Sequence, residues 1–170
     1  MPLPIAHGLL GASVVAALHP TPTNRFCIPL LFGAFLANAP DFDFLFVFIF
    51  QSKEWHRGFS HSILLAFIVC LMFVWYFGRQ RFRQAIACGL AFFSHCILDF
   101  VTTKEGGGVQ LLSPFSSERF VFGWKGLSEM PAKLSAAQII QTLSIEFALF
   151  APSLILILFL RRYFTSRSET

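Results

Sequence analysis

The sequence predicts an all-α protein, a polytopic membrane helix bundle of about five spans. Three observations carry that prediction. Five apolar runs, at residues 5–18, 26–39, 63–78, 84–101 and 143–160, are separated by turns rich in proline, polar or basic residues. Only 13% of the 170 residues are charged and 55% are hydrophobic, whereas a water-soluble domain carries about 25% charge. Basic residues also gather in short clusters at the ends of runs, the pattern that orients membrane helices.

The first run is rich in Gly, Ala and Val, small residues that let helices pack closely in lipid. Its 14 residues are short for a span of about 20. Met1-Pro2-Leu3-Pro4 lacks a basic start, so no cleavable leader is expected. His19-Pro20-Thr21-Pro22-Thr23-Asn24-Arg25 is a turn. The second run meets Pro40, which should end the helix, and two carboxylates follow at Asp41 and Asp43. Residues 44–50 are apolar but too short to cross a bilayer. Residues 51–55 lead into His56-Arg57-Gly58-Phe59-Ser60-His61-Ser62, where Ser60 or Ser62 is suited to cap the third run. The third run ends at Arg79-Gln80-Arg81-Phe82-Arg83. The fourth contains His95 and Asp99. A polar segment, 102–141, is too long for a bland connection and is expected to fold over something, with Pro114-Phe115-Ser116 as a candidate lid. Gly106 to Gly108 lacks the Lys-Ser/Thr ending of a P-loop and reads as a bend. The fifth run stops at Arg161-Arg162. Residues 1–163 form a single membrane-embedded domain in this reading, and 164–170 a mobile tail.

Arg79, Arg81 and Arg83 in one short loop, and Arg161, Arg162 and Arg167 after the last span, belong in the cytoplasm by the positive-inside rule. Arg25 lands on the same side. The amino terminus is then outside. The net charge of +4 is clustered, unlike the basic stripe of a nucleic-acid-binding surface, so no nucleic-acid partner is expected. Cys27, Cys70, Cys88 and Cys96 form no CxxC pair and are read as small buried hydrophobes.

The ligand-type residues converge on that topology. Spans three and four form a hairpin about Gln80, with His61 19 residues before it and Asp99 19 after. At about 1.5 Å per residue the two are level. His95 lies one turn from Asp99 on the same helix face. Spans one and two bring His7 and Asp41 to within about one turn of level. His7, Asp41, His56, His61, His95 and Asp99 are therefore the candidate metal ligands, all toward the outer face. Imidazole with carboxylate suits zinc, manganese or iron, and a set this large suits a two-metal site for phosphoester displacement. Asp41, Asp43 and Arg57 are the candidate catalytic residues: the carboxylates orient or deprotonate water, and the arginine stabilises phosphoryl oxygens. Alone, each has a plainer explanation: a helix–helix hydrogen bond for a histidine, a cap for an aspartate, a snorkelling anchor for Arg57. His19, in a short loop on the opposite side, is assigned to that plainer class.

Together, His7, Pro40-Asp41-Phe42-Asp43, the His56–Ser62 motif, His95-Cys96-Ile97-Leu98-Asp99 and Ser113-Pro114-Phe115-Ser116 resemble the YdjM-type family of inner-membrane proteins, predicted to be metal-dependent hydrolases and also described as LexA-binding. The order His7, Asp41, His61, His95, Asp99 is more distantly similar to part of the ligand series of zinc-dependent phospholipase C and the P1-type nucleases. Those enzymes carry a later ligand pair; here only Glu118, Glu129 and Glu146 are candidates for it. The resemblance implies a multi-pass protein of the bacterial inner membrane. The expected function is a membrane-bound metal-dependent hydrolase, with zinc as the first choice, acting on a small-molecule or lipid phosphoester within the bilayer. A metal or proton transporter, and a non-catalytic regulator with a protein partner, are the alternatives. Against transport, the ionisable residues of the runs stop at one side.

Overall fold

The computed structural model describes residues 2–20, 27–103, 107–124 and 135–167, and among them the fold is all-α. Six α-helices follow in order: α1 (Pro4–Leu18), α2 (Cys27–Leu36), α3 (Phe44–Phe50), α4 (Ile63–Phe77), α5 (Phe82–Thr102) and α6 (Ala136–Arg167). Short 3-10 turns at Ala39–Asp43, Lys53–Trp55, Phe59–His61 and Arg79–Arg81 connect them. Each of the five apolar runs contains a helix.

Length divides these helices. Arg79–Thr102 and Ala136–Arg167 are each long and apolar enough to cross a membrane. Two more candidate spans are broken ones: Cys27–Leu36 with Ala39–Phe50, bent by 44°, and Lys53–His61 with Ile63–Phe77, bent by 48°. Helix α1 has 15 residues, about 22 Å of rise against a core of about 30 Å. Its length is set by proline at both ends. Pro4 sits in its first turn, where the missing N–H costs nothing, and Pro20 keeps His19 extended.

The five expected spans thus become two clear ones, two bent ones and a short central helix. The helices also reach further than composition suggests. α6 starts at Ala136, inside the expected polar segment, and runs on to Arg167, inside the expected tail. Cys88 and Cys96 are buried as expected, Cys70 is half-buried, and Cys27 is exposed at the start of α2. Gly106 and Arg25 lie outside the described residues.

Helix α1 is the axis of the bundle. It packs on α2, α5 and α6, while α4 packs on α5. Small residues make these approaches possible. A Cβ on Gly11 would lie 2.4 Å from Ala37 Cβ and 2.5 Å from the Gly33 carbonyl. A Cβ on Gly89 would lie 2.6 Å from Cys70 Cβ. Val15, Leu36, Ala87, Cys88 and Ala91 form the apolar core at this level.

The segment 107–124 does fold over something. Val109 and Phe120 pair as an isolated antiparallel bridge. Gln110 N–H donates to the Arg57 carbonyl at 3.0 Å, and Ile63 N–H to the Leu111 carbonyl at 3.0 Å. The Arg119 guanidinium donates to the carbonyls of His56, Gly108 and Glu54. The loop therefore clamps the backbone of the His56–Ser62 motif. The turn expected as a lid stands elsewhere: Phe115 is exposed and joins Ile63, Leu64 and Phe67 around an apolar cavity of about 320 Å³.

Candidate metal centre

Four elements deliver the ligand-type side chains to one buried point. Helix α1 carries His7, the turn after α2 carries Asp41 and Asp43, the motif before α4 carries His56, Arg57 and His61, and α5 carries His95 and Asp99. Local sequence sets each entry. Pro40 opens the Ala39–Asp43 turn. Ser62 caps α4, its Oγ accepting Leu65 N–H at 3.1 Å. Arg57 takes a left-handed conformation, φ 56°, which turns the chain so that its own N–H reaches Asp43 Oδ2 at 2.9 Å.

Asp41, His61, His95 and Asp99 form the central group, each offering a ligand atom within 4.8 Å of the others. His61 Nε2 is 2.9 Å from His95 Nε2, 3.5 Å from Asp99 Oδ2 and 3.7 Å from Asp41 Oδ1. His95 Nε2 is 3.5 Å from Asp41 Oδ1 and 3.8 Å from Asp99 Oδ2. The histidines are fully buried, as is Asp99.

The hydrogen bonds on the far side of each ring fix what the near side offers. His95 Nδ1 is 2.6 Å from the Ala37 carbonyl, which can only accept, so Nδ1 carries a proton and donates it. His61 Nδ1 is 2.9 Å from Ser60 Oγ. That hydroxyl donates its own proton to Asp43 Oδ2 at 2.6 Å, so it accepts from His61 Nδ1–H. In both neutral rings the Nε2 lone pair then points inward. Two lone pairs at 2.9 Å, facing two carboxylates, require a proton or a cation between them. Asp41 Oδ1 and both oxygens of Asp99 are buried and accept no hydrogen bond among the described residues. Histidine whose second nitrogen is tied to a carbonyl or a carboxylate relay is the usual arrangement around a metal. The donor set of imidazoles and carboxylates fits zinc, manganese or iron.

The other sequence-predicted residues surround this group. His7 stacks on His95 with ring centroids 3.9 Å apart, and its Nε2 is 3.4 Å from Asp99 Oδ1, beside the four ligand atoms rather than among them. Arg57, buried, places Nε 3.2 Å from Asp99 Oδ2. Asp41, Asp43 and His56 form a second, adjoining group. His56 Nδ1 is 2.9 Å from Asp43 Oδ1. The expectation that Asp43 acts on water meets a constraint here: its oxygens already face His56, Arg57 N–H, Ser60 and His61. Ser60, read from sequence only as a candidate cap, is a bridge between Asp43 and His61. Its position directly before His61 was the available signal. The Ala37 carbonyl had none.

Of the late acidic candidates, Glu118 and Glu146 do not join. Glu118 is exposed, Glu129 lies outside the described residues, and Glu146 caps α1, accepting the Leu3 N–H and, at 3.2 Å, the Ala6 N–H. His19 sits past the opposite end of α1, in a cavity shared with Arg83 and Arg161. Burial, then the nearby Arg161 charge, lowers its pKa.

Comparison with known proteins gives the family. The chain is similar to the inner membrane protein YbcI of Escherichia coli (strain K12), 43% identical over 115 residues, which is 62% of this chain and 65% of that protein. It therefore spans a little under two thirds of that relative's length. No solved structure matches. The sequence model of the YdjM inner membrane protein family matches residues 1–167, from before His7 to the end of α6, and the chain belongs to that family.

Proposed function

We propose that the protein is a metal-dependent hydrolase of the inner membrane that cleaves a phosphoester, with its site at the outer face and zinc as the preferred cation. The observation that carries this reading is the inward convergence of the His61 and His95 lone pairs onto Asp41 and Asp99. A cation held there acidifies water and stabilises negative charge. The chain's own residues do the rest. Ala37 and the Ser60–Asp43 relay hold the two imidazoles in one tautomer. Asp41 turns Oδ1 to the two imidazoles as a ligand atom, which leaves Oδ2 to take a proton from water; it is the better placed of the two aspartates because both oxygens of Asp43 are engaged. As water oxygen bonds to phosphorus, the ester P–O bond breaks and that proton passes to the leaving oxygen. Arg57, a fixed cation beside Asp99, stabilises the charge that develops on the phosphoryl oxygens.

The test is metal analysis of the full-length protein in detergent, followed by turnover of a soluble nitrophenyl phosphodiester. Bound transition metal and turnover abolished by a chelator are the expected results. Arg57→Ala should keep the metal and lose about 100-fold or more in rate, the cost of deleting one transition-state charge contact. Metal flux in sealed vesicles without hydrolysis would make the protein a transporter. Bound metal with neither flux nor turnover would make it a regulator.

A further inference from the structure

Beside the second group of ligands lies a cavity of about 400 Å³ lined by Phe44, Val47, Lys53, Glu54, His56 and Arg119. Three kinds of surface meet in it. The first is apolar. All seven residues of α3, Phe44–Phe50, are hydrophobic and none is buried, so the helix turns its side chains outward to lipid. Trp55 stacks on Phe50 at 5.0 Å, the aromatic girdle expected where hydrocarbon meets headgroups. The second is cationic. Lys53 and Arg119 outnumber Glu54, and Arg119 is fixed by its three backbone carbonyls. The third leads inward. Phe44 stacks on His56 at 4.1 Å, and His56 is bonded to Asp43.

We propose that this cavity takes a membrane phospholipid with an anionic headgroup, admitted sideways from the bilayer past α3. The phosphate faces Lys53 and Arg119, and the start of the acyl chains lies along Phe44 and Val47. Lysine near the interface favours anionic lipid in this way. A soluble phosphoester would gain nothing from a lipid-facing helix at the cavity wall. That the bound lipid is then cleaved rests on the hydrolase reading above; that it binds does not.

The experiment measures binding of phosphatidylglycerol, phosphatidylcholine and free glycerol phosphate to full-length protein in detergent, by native mass spectrometry. Saturable binding of phosphatidylglycerol is expected, with the other two clearly weaker. Lys53→Glu reverses one exposed charge and should weaken it about 30-fold, two charge steps at about 1 kcal/mol each near a membrane surface. Val47→Trp fills the cavity and should weaken it at least as much. Both variants should keep wild-type metal content. Unchanged affinity in Lys53→Glu, or glycerol phosphate or phosphatidylcholine binding as tightly as phosphatidylglycerol, overturns the proposal. If phosphatidylglycerol binds as expected but is never hydrolysed in vesicles, the lipid site stands and the hydrolase reading falls.

Discussion

His95 and His19 have the same side chain and opposite meanings, and their partners decide it. His95 is buried with Nδ1 held by the Ala37 carbonyl and Nε2 aimed at His61 and two carboxylates. His19 is the cap at the far end of α1, its N–H donating to the Val15 carbonyl. His95→Ala and Asp99→Ala should therefore each abolish bound metal, while His19→Ala leaves it at the wild-type level. Elemental analysis of the three purified variants checks this, and metal retained by Asp99→Ala would remove that residue from the ligand set. Asp43 calls for a finer test. Asp43→Asn keeps the shape but replaces a carboxylate oxygen with a donor in the relay that orients His56 and His61. Removing such a support lowers metal affinity by about 10–100-fold, measurable by competition with a chelator. Wild-type affinity in that variant would show that the relay is dispensable. The ligand types were legible in the sequence because ionisable residues are rare in apolar runs. Their supports were less so: Ser60 was marked only by its position directly before His61, and the Ala37 carbonyl by nothing.

At the scale of elements, hydrophobic runs and small residues were informative and bends were not. The i, i+4 pair His95 and Asp99 and the hairpin about Gln80 placed His61 level with them, and their ligand atoms do meet. The 44° and 48° bends depend on how short turns pack, which periodicity does not encode. Nor does it encode the contact of Glu146 with the start of α1, across 143 residues of chain. That contact positions His7, one turn into α1. Glu146→Ala leaves two buried N–H groups without their acceptor, a loss of about 1–3 kcal/mol, whereas Glu146→Gln keeps an acceptor and should retain most of the stability. Thermal unfolding in detergent compares them, and equal melting temperatures for both variants would deny the cap any role. The glycines give a sharper contrast. Gly11→Ala places a methyl 2.4 Å from Ala37 Cβ and 2.5 Å from a backbone oxygen, so α1 must move off α2, carrying His7 with it. Overpacking of this kind costs about 1–3 kcal/mol. Gly8→Ala meets the Asn38 side-chain amide at 3.3 Å and Ala34 Cβ at an ordinary contact distance of 3.6 Å, and should be far milder.

The whole molecule is polarised along α1. His7 and His19 lie 12 residues apart on or beside it, about 18 Å of helix rise. His7 borders the ligand cluster, against Asp99 and His95, whereas His19 shares its cavity with Arg83 of α5 and Arg161 of α6. Arg83 and Arg161, two of the arginines that the sequence assigns to a single side of the membrane, meet at one end of the bundle, and the ligands gather at the other. That shared placement is a packing fact, independent of which end faces the cytoplasm. Orientation comes from a different physical source: loop arginines are retained on the cytoplasmic side during insertion, so the arginine end should lie inside and the ligand end outside. Reporter fusions after Arg83 and after Thr170 should then read cytoplasmic, and one at Gly107, in the loop clamped to the His56–Ser62 motif, should read external. Because Arg83 and Arg161 line one cavity, the first two reporters must agree whatever the orientation. Disagreement between them would contradict the fold itself. Agreement with both external and Gly107 cytoplasmic would invert the protein, and the candidate site would then draw its substrate from the inner leaflet with every distance within it unchanged.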